Sequence, residues 1–463
     1  MGGLEAVEIQ MSELLNDNDE FRLDSDYFSK YNLTITKQLL SVKYEKIGDF
    51  AFVTDGIHAS IDFDPNSKIN LISAKAPKLN TFDLSSTGFI SAKQHANNAR
   101  TALKVNDIIL STVGTIGNCA VVENKILPAN CDRHVGIIRI DRDYLPHYVS
   151  TFLLSKYGTA QSKRHTTGNV QPNLFLYKIR NIIVPYISNT FQSHISKCVI
   201  GATRFTEESE EFYASAEQLL LQELGLTDFA PSDENVSIKL LSESFGATGR
   251  LDAEYYQRKY EEIEIALHTT HTVGNLCLIH DNAFTPHKGN YKYIELADIG
   301  TAGNITGCTV APFDELPSRA RRLVKQGQII VSSIEGSLPS CALITNDYDN
   351  AICSTGFYVV DSPVINSETL LMLFKSAPIQ ALLKKRCSGT ILTAIAKNAL
   401  EAMPLPLIDN VIQQQIAEKI QQSFTLRRQS ERLLDIAKRA VEIAIEKGEK
   451  AATDWLRSQT KQL

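Results

Sequence analysis

Two kinds of side-chain cluster recur along this chain, and both carry groups suited to binding phosphates or base edges. The first joins Arg100 and Lys104 to Ser111, Thr112, Gly114 and Thr115 through RTALKVNDIILSTVGT. Its copy places Arg321, Arg322 and Lys325 ahead of Ser332, Ser333, Gly336 and Ser337. Hydroxyls and glycine amides donate to phosphate oxygens at close range, and Arg or Lys displaces counterions there, so this pattern suits a nucleic-acid backbone. The second kind is KRHTTGNVQPN, with Lys163, Arg164, Thr166, Thr167, Gly168, Asn169 and Gln171. Its copy, KKRCSGT, holds Lys384, Lys385, Arg386, Ser388, Gly389 and Thr390. Arg pairs bidentately with guanine and Asn or Gln with adenine, which makes Arg164, Asn169 and Gln171 candidates for reading bases. The copy lacks the Asn and Gln. Divergent polar groups on a retained frame are what two readers of different sequences present. A solvated basic face accounts for any one of these residues equally well, whereas the pairing of whole clusters favours binding.

The groups that would make the chain an enzyme are missing from the sequence pattern. There is no Pro-Pro dipeptide of the kind that cradles an exocyclic amine for methyl transfer, and no G-x-x-x-x-G-K-[ST]. Gly114 and Gly117 have the wrong spacing for a dinucleotide loop and precede a strand-like run. His268 and His271 stand alone as a histidine pair, a weak metal signal. Cys119 and Cys131 recur as Cys341 and Cys353, each beside an apolar run, and read as buried structural thiols. The expectation is a non-catalytic chain with no catalytic residue, no metal and no cofactor of its own.

Positioning these clusters requires a frame, and the frame is written twice. RLDSDYF, from Arg22 through Asp24 and Tyr27, returns as RLDAEYY, from Arg250 through Asp252 and Tyr255. KVNDIILSTVGTIGNCAVV returns as KQGQIIVSSIEGSLPSCALI, and Pro185, Gln192 and Ile195 return as Pro406, Gln413 and Ile416. The first part of each half is strand-like: short β-branched runs such as IILSTV and IIVSSI, bounded by Gly, Asn and Pro, predict a compact mixed sheet. The second part is helical. Ile195, Cys198, Ala202, Phe205, Ser209, Phe212, Ala216 and Leu219 step by three and four, as a coiled-coil seam does. A weaker seam runs from Ile416 to Ala440, and the small Ser209 and Ser430 occupy matching positions. Thr227-DFAPSDENV reads as an exposed linker beyond Gly225. The expected class is α+β, internally duplicated: two globular mixed α/β domains, residues 1–190 and 237–407, with antiparallel long helices, the first at 191–226 and the second, with a tail, at 408–463, and a linker at 227–236.

Bulk properties bound the reading. With 463 residues, of which 43% are hydrophobic, the chain has ample material for several buried cores. No apolar run approaches the roughly 20 residues a membrane helix needs, and MGGLEAVEIQ has no secretion pattern, so no membrane partner and a cytoplasmic location are expected. Eight cysteines without C-x-x-C suit a reducing compartment. A net charge of −6 speaks against coating nucleic acid indiscriminately and leaves room for local basic surfaces.

On these segments the chain resembles the specificity subunits of type I restriction-modification enzymes. RLDSDYF and RLDAEYY, the stretch from Arg100 through DIILSTVGTIG, TTGNVQPNL with NIIVPYI, and the helix starts at Gln192 and Gln413 carry the resemblance over nearly the whole chain. It implies two target-recognition domains, each reading half of a bipartite, asymmetric site in double-stranded DNA, with two long helices as a ruler between them. It also implies two modification subunits that bind S-adenosylmethionine and methylate adenine N6, and restriction subunits that translocate and cut DNA. Helices of about 45–50 Å match roughly 15 base pairs. The alternatives are a specificity chain of a bipartite-site methyltransferase without the motor, and a protein-binding adaptor.

Overall fold

The computed structural model describes residues 6–15, 18, 21–85, 87–168, 172–234, 236–280, 284, 287–389 and 393–461. The chain divides into two compact units, Met1–Thr206 with Arg428–Leu463, and Glu207–Arg427.

In the first unit, helix α1 (Lys30–Leu40) precedes a four-stranded antiparallel sheet of β1 (Ala51–Asp55), β2 (Ile108–Ser111), β3 (Cys119–Val121) and β4 (Val135–Ile140), ordered β1-β4-β2-β3. Strand β2 is apolar at every position but its last because both its faces are covered. Ile108 and Leu110 enter a core shared with helices α2 (Pro146–Leu154) and α3 (Lys156–Arg164). Ile109 faces a second core built with the three-stranded sheet of Asn70–Ile72, Gly88–Phe89 and Ala129–Cys131. Cys119 and Cys131 fall one in each core, fully buried and free.

The second unit repeats this arrangement. Strands β5 (Leu278–His280), β6 (Ile329–Ser332), β7 (Cys341–Leu343) and β8 (Phe357–Asp361) take the order β5-β8-β6-β7. Ile329 and Val331 pack on the side of helices α5 (Ser367–Lys375) and α6 (Ala377–Arg386), and Ile330 on the opposite side. Burial pushes the Cys341 thiol up to about 11 and Cys353 up to about 12, so neither is a ready nucleophile. The four helices α2, α3, α5 and α6 supply the α part of the expected mixed α/β domains; the strand-like reading did not locate them, although Pro146 at the first turn, Ser155 and Asn366 are ordinary helix starts.

The long helices are α4 (Asn189–Glu223) and α7 (Asn410–Lys447), of 35 and 38 residues. Gly225, at φ 68°, ends α4 by letting Leu226 N–H reach Leu221 O at 2.8 Å. The second long helix ends at Gly448, and the tail expected beyond it is a further helix, α8 (Glu449–Thr460), which folds onto the first core through Ala452 and Leu456.

Each unit holds an antiparallel stretch of this helix pair. In the first, Ile195 and Ala202 pack with Leu433, Ala437 and Ala440, and Ser430 Oγ donates to Ala202 O at 2.8 Å. In the second, Ala216 and Leu220 pack with Ile416 and Ile420, and Ser423 Oγ donates to Ser209 O at 2.9 Å. The small hydroxyl residues on the seam therefore bond across it. The apolar faces of α4 and α7 also complete the two globular cores.

Candidate nucleic-acid interface

In each half a capped turn launches the central strand. Lys104 N–H donates to Asp107 Oδ2 at 2.8 Å, and Lys325 N–H donates to Gln328 Oε1 at 2.9 Å. Asp107, 1% exposed, also takes a two-point bond from Arg139, at 2.8 and 2.7 Å. The strand carries the chain to its far end, so Lys104 and the loop at 112–118 lie at opposite ends of β2. The first cluster is thereby divided.

The far ends of β2 and β6 are built alike. Thr112 N–H donates to His134 O and Leu174 N–H to Thr112 O, while Ser333 N–H donates to Gly356 O and Ile395 N–H to Ser333 O. Val113 bridges Asn173, and Ile334 bridges Ala394. Thr167 pairs with Asn173 as Ser388 pairs with Ala394. The turn between them opens at Gly168 (φ 108°) and Gly389 (φ 124°), a left-handed backbone that a Cβ would strain. The loop after the central strand and the loop after α3 or α6, 50 residues apart in sequence by the Val113 and Lys163 markers, thus share one rim.

Side chains at this rim sort into three groups. Gly114, Lys163, Gly168, Gly336, Ser388 and Gly389 are exposed, as is Thr115, whose hydroxyl turns to Ala74 O at 3.4 Å. Arg100 is also exposed and binds Thr54 and Asp55. Thr167 is half-buried. Asn169, Gln171 and Thr390 lie outside the described residues.

Of the remaining candidates Arg321, Lys325 and Lys384 are exposed as well, and the others are buried or half-buried, against the expectation of contact. Ser111 is buried and donates to Ala74 O at 2.7 Å; Thr112 is buried and its amide and carbonyl are spent in the frame. Ser333 donates to Gly356 O at 2.9 Å, and Ser332 and Ser337 bond each other at 2.9 Å. Thr166 donates to Ser162 O. Arg164, 8% exposed, donates to Tyr27 O and Thr36 Oγ1 and lies over the Tyr27 ring. Arg321 Nε donates to Ser318 O, Arg322 binds Phe357 O, and Lys325 binds Asn350. Lys384 pairs with Glu254 at 3.3 Å, and Lys385 and Arg386 both pair with Glu264, at 2.9 and 3.1 Å. The three cations of KKR are thus neutralised within their own unit. Their position in the last turn of α6, like that of Lys163 and Arg164 in α3, also suits the negative end of a helix dipole.

The rim also carries groups that sequence reasoning missed. Asp55, His58, Arg133, His134, Asn173 and Phe175 help line a cleft of about 430 Å³ beside Thr112 and Val113. His58 Nε2 sits 2.5 Å from Asp55 Oδ2, and the same carboxylate also faces Arg100 at 3.5 Å. Arg133 is exposed, and Phe175 stacks on the exposed Tyr177 with centroids 6.1 Å apart. On the shared frame Arg133 and His134 correspond to Thr355 and Gly356, and Phe175 and Tyr177 to Ala396 and Asn398. Only the FLY segment after Asn173, apolar yet outside any strand pattern, hinted at this in sequence.

RLDSDYF and RLDAEYY fasten an arm to this rim. Arg22 grips Asp24 through Nε and Nη2 at 2.7 and 3.0 Å, and its Nη1 donates to Arg164 O and Thr166 O at 2.8 and 2.9 Å. Arg250 grips Asp252 at 2.8 and 2.5 Å and donates to Cys387 O at 2.9 Å. The guanidinium hydrogen bonds hold the Asp24 and Asp252 carboxyls below the usual carboxylate range, against the opposing effect of burial.

No family model matches the sequence, and no curated protein matches it. Among solved structures, the chain is similar to the S subunit of a type I restriction-modification system from M. genitalium, with 14% identity, a TM-score of 0.38, and coverage of 90% of this chain and 96% of that one. It is also similar to the HsdS subunit from Thermoanaerobacter tengcongensis, with 15% identity, a TM-score of 0.29, and coverage of 88% and 97%. The type IIG restriction endonuclease BpuSI matches over 36% of this chain and 28% of its own, at 7% identity and a TM-score of 0.29. Among the described residues no helix is long and apolar enough to cross a membrane.

Proposed function

We propose that this chain is the DNA sequence-specificity subunit of a type I restriction-modification complex. Each unit reads one half of a bipartite, asymmetric target in double-stranded DNA, and partner subunits carry out methylation or cutting. The observation that supports this reading is the twin rim: the same backbone hydrogen bonds recur in both halves, while the side chains set on them differ. Exposed loop residues vary freely on any frame, and two readers of different half-sites use that freedom: they keep the frame and change the groups set on it. On this reading Lys163, Arg100 and Arg133 serve phosphates in the first half, and His58, His134 and Asn173, which line the cleft beside them, are assigned to base edges. The chain itself supplies recognition and no chemistry. Adenine N6 methylation belongs to two modification subunits, which hold the S-adenosylmethionine, and translocation and cleavage belong to restriction subunits.

The test is co-expression with the adenine methyltransferase subunit of the host operon, followed by genome-wide mapping of N6-methyladenine by single-molecule sequencing. A motif of two short half-sites with a fixed unread gap, altered in one half when residues 237–407 are exchanged for those of another such chain, is the expected result. A stable complex without bipartite methylation would sink the reading. Replacing Lys163 and Arg133 with Ala should lower DNA affinity across sequences and reduce the salt slope by about one per phosphate contact.

A protein-binding adaptor is the second reading, and one observation favours it. Phe175 and Tyr177 form an exposed aromatic pair at the first rim, the kind of anchor protein interfaces use. Aromatic faces also stack on bases. Replacing both with Ala separates the two readings: loss of the partner complex with DNA binding unchanged supports the adaptor, and weaker DNA binding with the complex intact supports stacking on bases.

A further inference from the structure

We infer that Arg22 and Arg250 are positioning residues, each fixing the recognition loop of its own half from the base. This inference rests on the rim being the DNA-reading face. A helix leaves its last carbonyls without intrahelical partners, and the chain beyond them is free to swing unless something binds those oxygens. At the end of α3 the missing donor is the Arg22 guanidinium, which takes Arg164 O and Thr166 O together. At the end of α6, Arg250 takes Cys387 O, the oxygen equivalent to that of Thr166.

The next residue in each case, Thr167 or Ser388, pairs with Asn173 or Ala394, which bridges to Val113 or Ile334. One peptide therefore separates the bound carbonyl from the first rim pairing. The aspartate grip orients the guanidinium, and the following tyrosine stacks on it: Arg22 lies 4.9 Å from the Tyr27 centroid and Arg250 4.2 Å from that of Tyr255. A second cation lies over the same ring, Arg164 at 4.0 Å in one half and Lys385 at 5.3 Å in the other. Tyr27 is itself buried, while Arg22, Asp24, Arg250 and Asp252 spend their charged groups on one another and on the carbonyls at the foot of the loop. The loop they fasten accounts for the joint recurrence of the arginine and the aspartate. Lysine cannot replace the arginine, because a single ammonium on a flexible stem does not grip a carboxylate and a carbonyl in a fixed fork.

The full chain is tested as R22K and R250K, with hydrogen exchange at the Thr167, Asn173, Ser388 and Ala394 amides and methylome mapping with the methyltransferase subunit. R22K should speed exchange about tenfold at Thr167 and Asn173 only, and R250K at Ser388 and Ala394 only. Each should relax or lose one half-site of the motif, with a thermal midpoint near wild type. Should R22K fail to fold, D24N, which loosens the grip but keeps the guanidinium, is read in the same way. Unchanged exchange at the rim overturns the inference whatever the methylation. Altered exchange without any change in the motif overturns the recognition role assigned to the loop. Absence of a bipartite motif in the wild type overturns the DNA reading itself, and the exchange rates then decide separately whether the arginines fasten the loops.

Discussion

At the scale of single residues, the frame beneath the rim is polar and its two copies are wired differently. Asp107 and Arg139 form a two-point ion pair with the carboxylate buried, whereas the second half has Gln328 donating to Asp361 at 2.9 Å, with His280 on the same carboxylate at 2.8 Å. Asp107→Ala strands Arg139 and uncaps the turn at Lys104, and should cost about 3 kcal/mol in urea unfolding. Gln328→Ala should cost about 1–2 kcal/mol, because one oxygen cap and one donor are lost. The arm pairs predict a pH dependence. Hydrogen bonding from Arg22 and Arg250 sets the folded pKa of Asp24 and Asp252 below the unfolded value, so their stabilisation is complete above about pH 4 and is lost as the pH falls through the depressed value. The urea midpoint followed from pH 6 downward should fall less steeply in a D24N/D252N variant.

At the scale of elements, each globular core is clamped to its long helix by one glutamine. Gln192 is fully buried, accepts from Leu145 N–H at 2.8 Å and donates to Ile187 O at 2.9 Å. Gln413 accepts from Asn366 N–H at 2.7 Å and donates to Ile408 O and Val364 O at 2.9 and 3.0 Å. Alanine at either site leaves a buried amide and a buried carbonyl unpaired, so Gln192→Ala and Gln413→Ala should each cost about 2–4 kcal/mol, read from thermal unfolding. Glutamate should restore the acceptor but not the donor and fall between. The helix seam works by the same principle: serine at 209, 423 and 430 lets backbones approach while each hydroxyl finds a partner across the seam or on it.

At the scale of the whole molecule, the proposed reading makes helix length the determinant of the unread gap. Inserting seven residues at matched seam positions of α4 and α7 adds about 10 Å, and the methylated motif should gain about 3 base pairs of spacer with both half-sites unchanged. A gap that stayed constant would remove the ruler from the reading. Net charge is no obstacle. The total of −6 includes the acidic stretch TEESEEF on α4, while the first rim gathers Arg100, Arg133 and Lys163.

The duplication, the central strands, both long helices and the end of the first one at Gly225 were legible in sequence, because each is declared by local periodicity, a capping glycine or a repeat that survives divergence. The short helices before each rim were hidden by apolar runs too brief for a period to show, with only Pro146, Ser155 and Asn366 as signals. The site was legible as two loops and illegible as side chains. Arg164 and Lys385 carry the charge that sequence assigns to a surface, yet Tyr27 and Glu264, 137 and 121 residues away, draw them inside. Asp55, His58, Arg133, His134 and Phe175 come from separate segments and become neighbours only where the sheet ends. Sequence by itself determined that one frame is used twice and that its exposed loops differ. Tertiary structure alone decided which polar groups remain outside, because burial is settled by partners distant along the chain.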